Sequence, residues 1–148
     1  MASEKQVLGS WGENLVKDHC PCPKCKKTKT FKLLPQNFKC ADLICDFCGF
    51  LAQVKSTRVK NVNILPKTIL GAAWLPQKER MNAFIYFPVY LVLKSEEEYA
   101  VYYLPTDFQS PELFVPRKPL SDQAKRAGWQ GFLYDLSKVP QGAFIRIV

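Results

Sequence analysis

Residues 41–56 read ADLICDFCGFLAQVKS, and this stretch decides the fold. A CxxC knuckle, Cys45 to Cys48, sits in its middle. Asp42 precedes the knuckle and Gln53-Val54-Lys55 follows it, with ten residues between Asp42 and Gln53. Two short apolar runs around a tight turn predict a hairpin, with strands over Phe38–Leu43 and Phe50–Lys55. On the second strand a period of two places Leu51, Gln53 and Lys55 on one face. It turns Phe50, Ala52 and Val54 into the core.

The hairpin has a metal-binding counterpart upstream. Cys22-Pro23-Lys24-Cys25 is a second knuckle, nineteen residues before Cys45. Two intervening residues let a turn aim both sulfurs at one point. Four thiolates at about 2.3 Å satisfy a tetrahedral zinc ion, which predicts a zinc ribbon over residues 20–49. A disulfide framework is the competing reading, and it needs an oxidising compartment. The N-terminus MASEKQVLGSWGENL has no apolar signal-peptide core, and no run is long enough to span a membrane. The chain therefore reads as cytoplasmic, with thiolates rather than disulfides. Four protein ligands leave no open position, so the zinc is expected to be structural. Cys20 and Cys40 are read as small, partly buried side chains, and His19 as a bystander.

Length fits one domain over residues 1–148, and the stretches that read as helices and as strands make it α+β. The 148 residues are 47% hydrophobic and 13% aromatic, enough for a packed core and against disorder. The net charge of +8 favours a polyanionic partner, with nucleic acid foremost. The basic residues fall in groups: Lys24, Lys26, Lys27, Lys29 and Lys32; Arg58, Lys60 and Lys67; Arg117, Lys118, Lys125 and Arg126. Trp129 is either a stacking residue or a core anchor, and the second reading is preferred.

Elsewhere the pattern predicts a helix over residues 5–18, weakened by Gly9 and Gly12. A second helix is expected around Leu70–Arg80, begun or interrupted by Pro76. Asn82–Leu93 reads as a strand covered on both faces, with a bulge or edge at Pro88. Glu96–Glu98 is a turn, and Tyr99–Leu104 a partner strand. Residues 105–120 read as a loop, and Ser121 to Ala127 as a short capped helix. Gln130–Leu136 and Ala143–Val148 read as closing strands.

The residues around the second knuckle also carry chemistry. Phosphodiester hydrolysis at neutral pH calls for a metal-activated water and positive charge near the developing oxyanion. A carboxylate on one strand and a D/E-x-K triplet on the next supply both. Asp42, Gln53 and Lys55 match that geometry, with Gln53 where the pattern has an acid. An amide oxygen can hold magnesium without contributing charge. Glu13, on the first helix, is the expected helper carboxylate.

In three stretches the chain resembles the catalytic domain of the Dpn-type, methyladenine-dependent restriction endonucleases and the related Dam-replacing proteins. They are Glu13–Cys25, Ala41–Ser56, and RKPLSDQAKRAGWQGFLYDLSKVP over residues 117–140. The resemblance implies a PD-(D/E)xK nuclease: a mixed β-sheet flanked by helices, with an inserted zinc ribbon. It puts Asp42, Gln53 and Lys55 on catalytic positions, with the Val54 carbonyl as a further magnesium ligand. It puts Cys22, Cys25, Cys45 and Cys48 on zinc, and double-stranded DNA as the partner, with Arg117, Lys118, Lys125, Arg126 and Trp129 expected at the interface. Gln53 replaces the family's glutamate. The family's winged-helix domain has no counterpart before Val148. The expected activity is a magnesium-dependent endonuclease of restriction type. The alternative is a zinc-ribbon DNA-binding protein that keeps the fold without the chemistry.

Overall fold

The computed structural model describes residues 3–35, 38, 41–71, 73–118, 121–123 and 130–148. Helix α1 spans Glu4–His19. Ser3 and Gln6 close a capping box at its start, and Lys17 and His19 lie in its last turn, where the helix dipole favours cations. Gly12 is a packing requirement: a methyl there would overlap Ser56 Oγ on the strand beneath. Lacking one, α1 lies close against that strand.

A mixed six-stranded sheet forms the centre. Its strands are β1 (Phe31–Leu33), β2 (Leu43–Cys45), β3 (Leu51–Arg58), β5 (Val89–Lys94), β6 (Tyr99–Leu104) and β9 (Ile145–Arg146), in the order β1-β2-β3-β5-β6-β9. Only the β3–β5 pair is parallel. The connection between them carries β4 (Thr68–Gly71) and α2 (Trp74–Asn82). A three-stranded antiparallel sheet, β4-β8-β7, is built from β4, β8 (Phe132–Asp135) and β7 (Phe114–Pro116).

Period-two alternation in the central strands separates two cores. On one face, Ala52, Val54, Tyr90, Val92 and Val101 pack with Val16 of α1 and with Cys22 and Cys45. On the other, Val89, Leu91, Leu93 and Leu104 pack with Ile69, Phe114, Phe132 and Tyr134 of the small sheet. α1 thus supplies the expected helical flank on the first face. A sheet covers the second, joined by Trp74 and Met81 of α2.

Several boundaries also differ from expectation. The first hairpin strand, expected to end at Leu43, runs over Leu43–Cys45, because Cys45 continues the ladder to the turn; residues 39 and 40 of the expected Phe38–Leu43 strand lie outside the described residues. Leu70 belongs to β4, and α2 begins at Trp74 with Pro76 in its first turn, where no N–H is needed. The apolar run 82–93 divides: Asn82 ends α2, and the strand starts at Val89, so Pro88 lies just outside and needs no bulge. The proline-rich 105–120 segment contains two 3-10 turns and β7. The closing strands are shorter, at Phe132–Asp135 and Ile145–Arg146. The helix expected from Ser121 to Ala127 lies largely outside the described residues, as does Cys40.

Candidate functional site

The two CxxC turns are built alike. Lys26 N–H donates to the Cys22 carbonyl at 2.9 Å, and Gly49 N–H to that of Cys45 at 2.8 Å. Each turn ends on a left-handed residue, Lys26 at φ 66° and Gly49 at φ 80°. The four sulfurs lie within 4.8 Å of one another. Cys22 Sγ is 3.6 Å from Cys48 Sγ, and Cys25 Sγ is 3.7 Å from Cys45 Sγ. A disulfide needs about 2.05 Å. A tetrahedron with legs of about 2.3 Å has edges of about 3.8 Å, so the spacing fits four ligands on one zinc-sized ion.

Electrostatics sets Cys45 apart from Cys22. Burial works against ionising Cys45, but the Thr30 hydroxyl, 3.1 Å from its sulfur, and the Cys48 and Phe47 amides outweigh it and hold the thiol at about 6. Burial pushes Cys22 up to about 12. A cation at the centre would lower all four. Cys20 is buried outside the cluster, its thiol raised to about 11 by desolvation. His19 is exposed at the end of α1.

The same hairpin carries the acid and the QxK triplet at its other end. Leu43 faces Ala52 and Ile44 faces Leu51 across the ladder, so continuing the register sets Asp42 opposite Gln53. Residues opposite in an antiparallel pair share a face. Asp42 Oδ2 accepts a 2.7 Å hydrogen bond from the Val54 amide. Gln53 and Lys55 are half-buried, whereas Ala52 and Val54 are buried, as the alternation predicts.

Glu13 enters this cluster from α1. Burial raises its carboxyl above the usual range, the Asp42 charge raises it further, and Lys55 pulls it down. Asp42 is raised by burial as well, against the opposing pull of the Val54 amide and Lys55. Two half-buried carboxylates therefore feel each other and one lysine. With the Gln53 amide and the Val54 carbonyl nearby, the donors are all oxygens, the set a hard divalent cation prefers.

Sequence reasoning missed Tyr134. This buried residue of β8 donates its hydroxyl to Gln53 Oε1 at 2.8 Å. Lys55 Nζ lies 6.0 Å from its ring centroid. The signal was present in GFLYDL, where alternation places Phe132 and Tyr134 on one face, but its partner is 81 residues away. Beside Lys55 opens a groove of about 640 Å³, lined by Lys5, Leu8, Arg58, Leu70 and Leu133 among others.

Arg117 and Lys118 are exposed after β7, and the Arg117 amide donates to the Gly131 carbonyl. Phe114, not Arg117, pairs with Tyr134, which puts Arg117 roughly 10 Å farther along the sheet. Lys125, Arg126 and Trp129 lie outside the described residues. A basic pocket that was not anticipated gathers Lys17, His19, Lys29 and Lys32 around Phe31. Lys17 is one helical turn beyond Glu13, so this pocket continues from the carboxylate cluster along the same helix face. Lys17 also pairs with Asp18 at 3.0 Å. Among the described residues no helix is long and apolar enough to cross a membrane. A family model described as DpnI, the Dam-replacing family, matches residues 2–148.

Proposed function

The chain belongs to the Dam-replacing family, and on that premise we propose that it is a divalent-metal-dependent endonuclease of the restriction type, cutting double-stranded DNA. Its link to adenine methylation follows from the family. The observation that carries the reading is the convergence of Glu13, Asp42 and Lys55, from three elements, beside the Gln53 amide. Its composition resembles a PD-(D/E)xK site in which Gln53 stands in place of the second acid. Asp42, Gln53, the Val54 carbonyl and Glu13 are the oxygens that would hold magnesium. When bound, that ion supplies Lewis acidity at the phosphoryl oxygen and lowers the pKa of water.

The residues then divide the work. Asp42 stays in place through its bond from the Val54 amide, so its second oxygen is left for the ion. Lys55 brings a fixed positive charge to the phosphate and orients the attacking water. The water oxygen bonds to phosphorus, the bridging P–O bond breaks, and the leaving oxygen takes up a proton. Zinc on Cys22, Cys25, Cys45 and Cys48 stiffens the hairpin whose far end carries Asp42 and Gln53. The basic pocket around Lys17 and Lys32, with Arg117 and Lys118, neutralises phosphates on either side.

The neutral side chain of Gln53 favours a second reading, a DNA-binding protein without hydrolysis. Incubation of the protein with adenine-methylated and unmethylated plasmid, in magnesium or manganese, separates the two. We expect cleavage that Lys55→Ala abolishes. Retarded plasmid mobility without cleavage in either ion decides for the binding protein.

A further inference from the structure

The small sheet reaches into the QxK pair through one residue. Tyr134 is 2% exposed. Its ring packs 5.2 Å from both Phe114 and Phe132, centroid to centroid, and its strand pairs on both sides, with Ile69 and with Phe114. The hydroxyl therefore has little freedom, and it ends 2.8 Å from Gln53 Oε1. The Lys55 ammonium lies over the ring of the same residue, 6.0 Å from its centroid.

We propose that Tyr134 is a positioning residue that selects the cation-binding orientation of the Gln53 amide. The inference rests on the divalent-metal reading given above. A carboxylate has two equivalent oxygens, so either orientation about its last torsion presents a ligand. An amide has one oxygen and one NH2, and only the oxygen can hold a cation. A side chain free to turn over would favour the wrong orientation in the metal-free protein, because its NH2 is drawn to the Asp42 carboxylate opposite, and there it would oppose an ion. The Tyr134 hydroxyl, donating to Oε1, occupies one of that oxygen's two lone pairs and leaves the other. The bond fixes where the oxygen sits and turns the NH2 away. Tyr134 is thus the specific complement of glutamine at position 53, a need that glutamate would not have.

Manganese binding without DNA, read by loss of the free-ion signal in electron paramagnetic resonance, tests this apart from cleavage. Wild type, Tyr134→Phe, Gln53→Glu and the double variant are compared, with Asp42→Ala to identify the site. Tyr134→Phe keeps the ring and loses only the hydroxyl, so urea unfolding should change little. We expect it to weaken manganese binding about five- to tenfold, the effect of one hydrogen bond. In the Gln53→Glu background the same change should alter binding by less than about twofold. Unchanged binding in Tyr134→Phe, or an equal loss in both backgrounds, overturns the positioning role and leaves the metal site standing. No binding by wild type that depends on Asp42 overturns the role and the metal-dependent reading together.

Discussion

Asp42→Asn should separate a residue that serves the reaction from one that serves the fold. The side chain is mostly withdrawn from water, and that burial, the largest influence on it, lifts its carboxyl above the ordinary value of 3.8. In the absence of a divalent ion the folded protein therefore strains against the charge of Asp42, and Glu13 adds repulsion. Asparagine has the same shape and keeps an oxygen for the 2.7 Å bond from the Val54 amide. The substitution removes the desolvated charge and its repulsion, while giving up the attraction to Lys55. Substitutions of this kind, which relieve a functional site, stabilise by about 0.5–2 kcal/mol. The pH dependence follows from the direction of the shift. A carboxyl raised in the folded state binds more protons there than when unfolded. Its contribution is fully present below the unfolded value and is lost as pH rises through the folded one. The advantage of Asp42→Asn over wild type should accordingly be largest near pH 7 and shrink towards pH 4. Urea unfolding of both proteins in magnesium-free buffer with zinc retained reads this difference, because any zinc contribution is common to both. Cleavage should fall at least about a hundredfold, since each 1.4 kcal/mol is tenfold and a bound ion supplies several. A less stable Asp42→Asn that still cuts DNA would refute the reasoning and make Asp42 a structural cap.

Gly71→Ala should destabilise by about 1–3 kcal/mol, because the end of the buried Phe132 ring occupies the space of the new methyl. Gly9→Ala, which meets nothing within 4 Å on a helix, should instead stabilise by up to about 1 kcal/mol; urea midpoints of the two variants read the opposite signs. Cys45→Ser removes the thiol held at about 6 and should lower the bound zinc per chain from one towards zero, by elemental analysis, with a stability loss above about 4 kcal/mol. Gln53→Glu adds a charged oxygen beside Asp42 and should lower the magnesium concentration for half-maximal cleavage roughly tenfold, as measured by titration on plasmid.

The hairpin at the heart of the site was legible because its signals are local. Knuckle spacing, the polar residue at every second position of β3, and the position of Asp42 all lie within sixteen residues. Glu13 was read only as a carboxylate on the first helix; its approach to Asp42 and Lys55 is a contact between distant elements. What escaped was set by contacts far apart in the chain. Nothing near residue 134 announces a bond to residue 53, and the sheet containing Tyr134 assembles from strands at 68–71, 114–116 and 132–135. The apolar run 82–93 gave the right type of element at its end and the wrong one at its start, because Phe84 and Ile85 are apolar yet exposed in the turn that follows α2, and hydrophobicity alone does not tell an exposed turn from a buried strand. The start of α1 was readable in principle: Ser3 and Gln6 have the S-x-x-Q spacing of a capping box. The glycines at 9 and 12 argued against that helix, yet Gly12 is what lets it approach Ser56. A residue that weakens an isolated helix can be the one that docks it.

The same charges bear on the choice between cutting and mere binding. A protein that only grips DNA gains from every lysine and loses from every carboxylate near the phosphates. Here two carboxylates converge next to Lys55, each raised by burial and Glu13 raised further by its neighbour. They destabilise the metal-free fold and would repel the backbone of a bound duplex. A divalent cation would reverse both effects, because it would turn mutual repulsion into shared ligation and present net positive charge to the phosphate. Gln53 fits within that balance. A third carboxylate would bind the ion more tightly and strain the metal-free protein more, whereas an amide held by Tyr134 supplies an oxygen without adding to the repulsion. The neutral residue at position 53 therefore weakens the demand for charge at the site without removing its purpose. It is the retained pair, Asp42 and Glu13, that a purely DNA-binding role leaves without a physical reason.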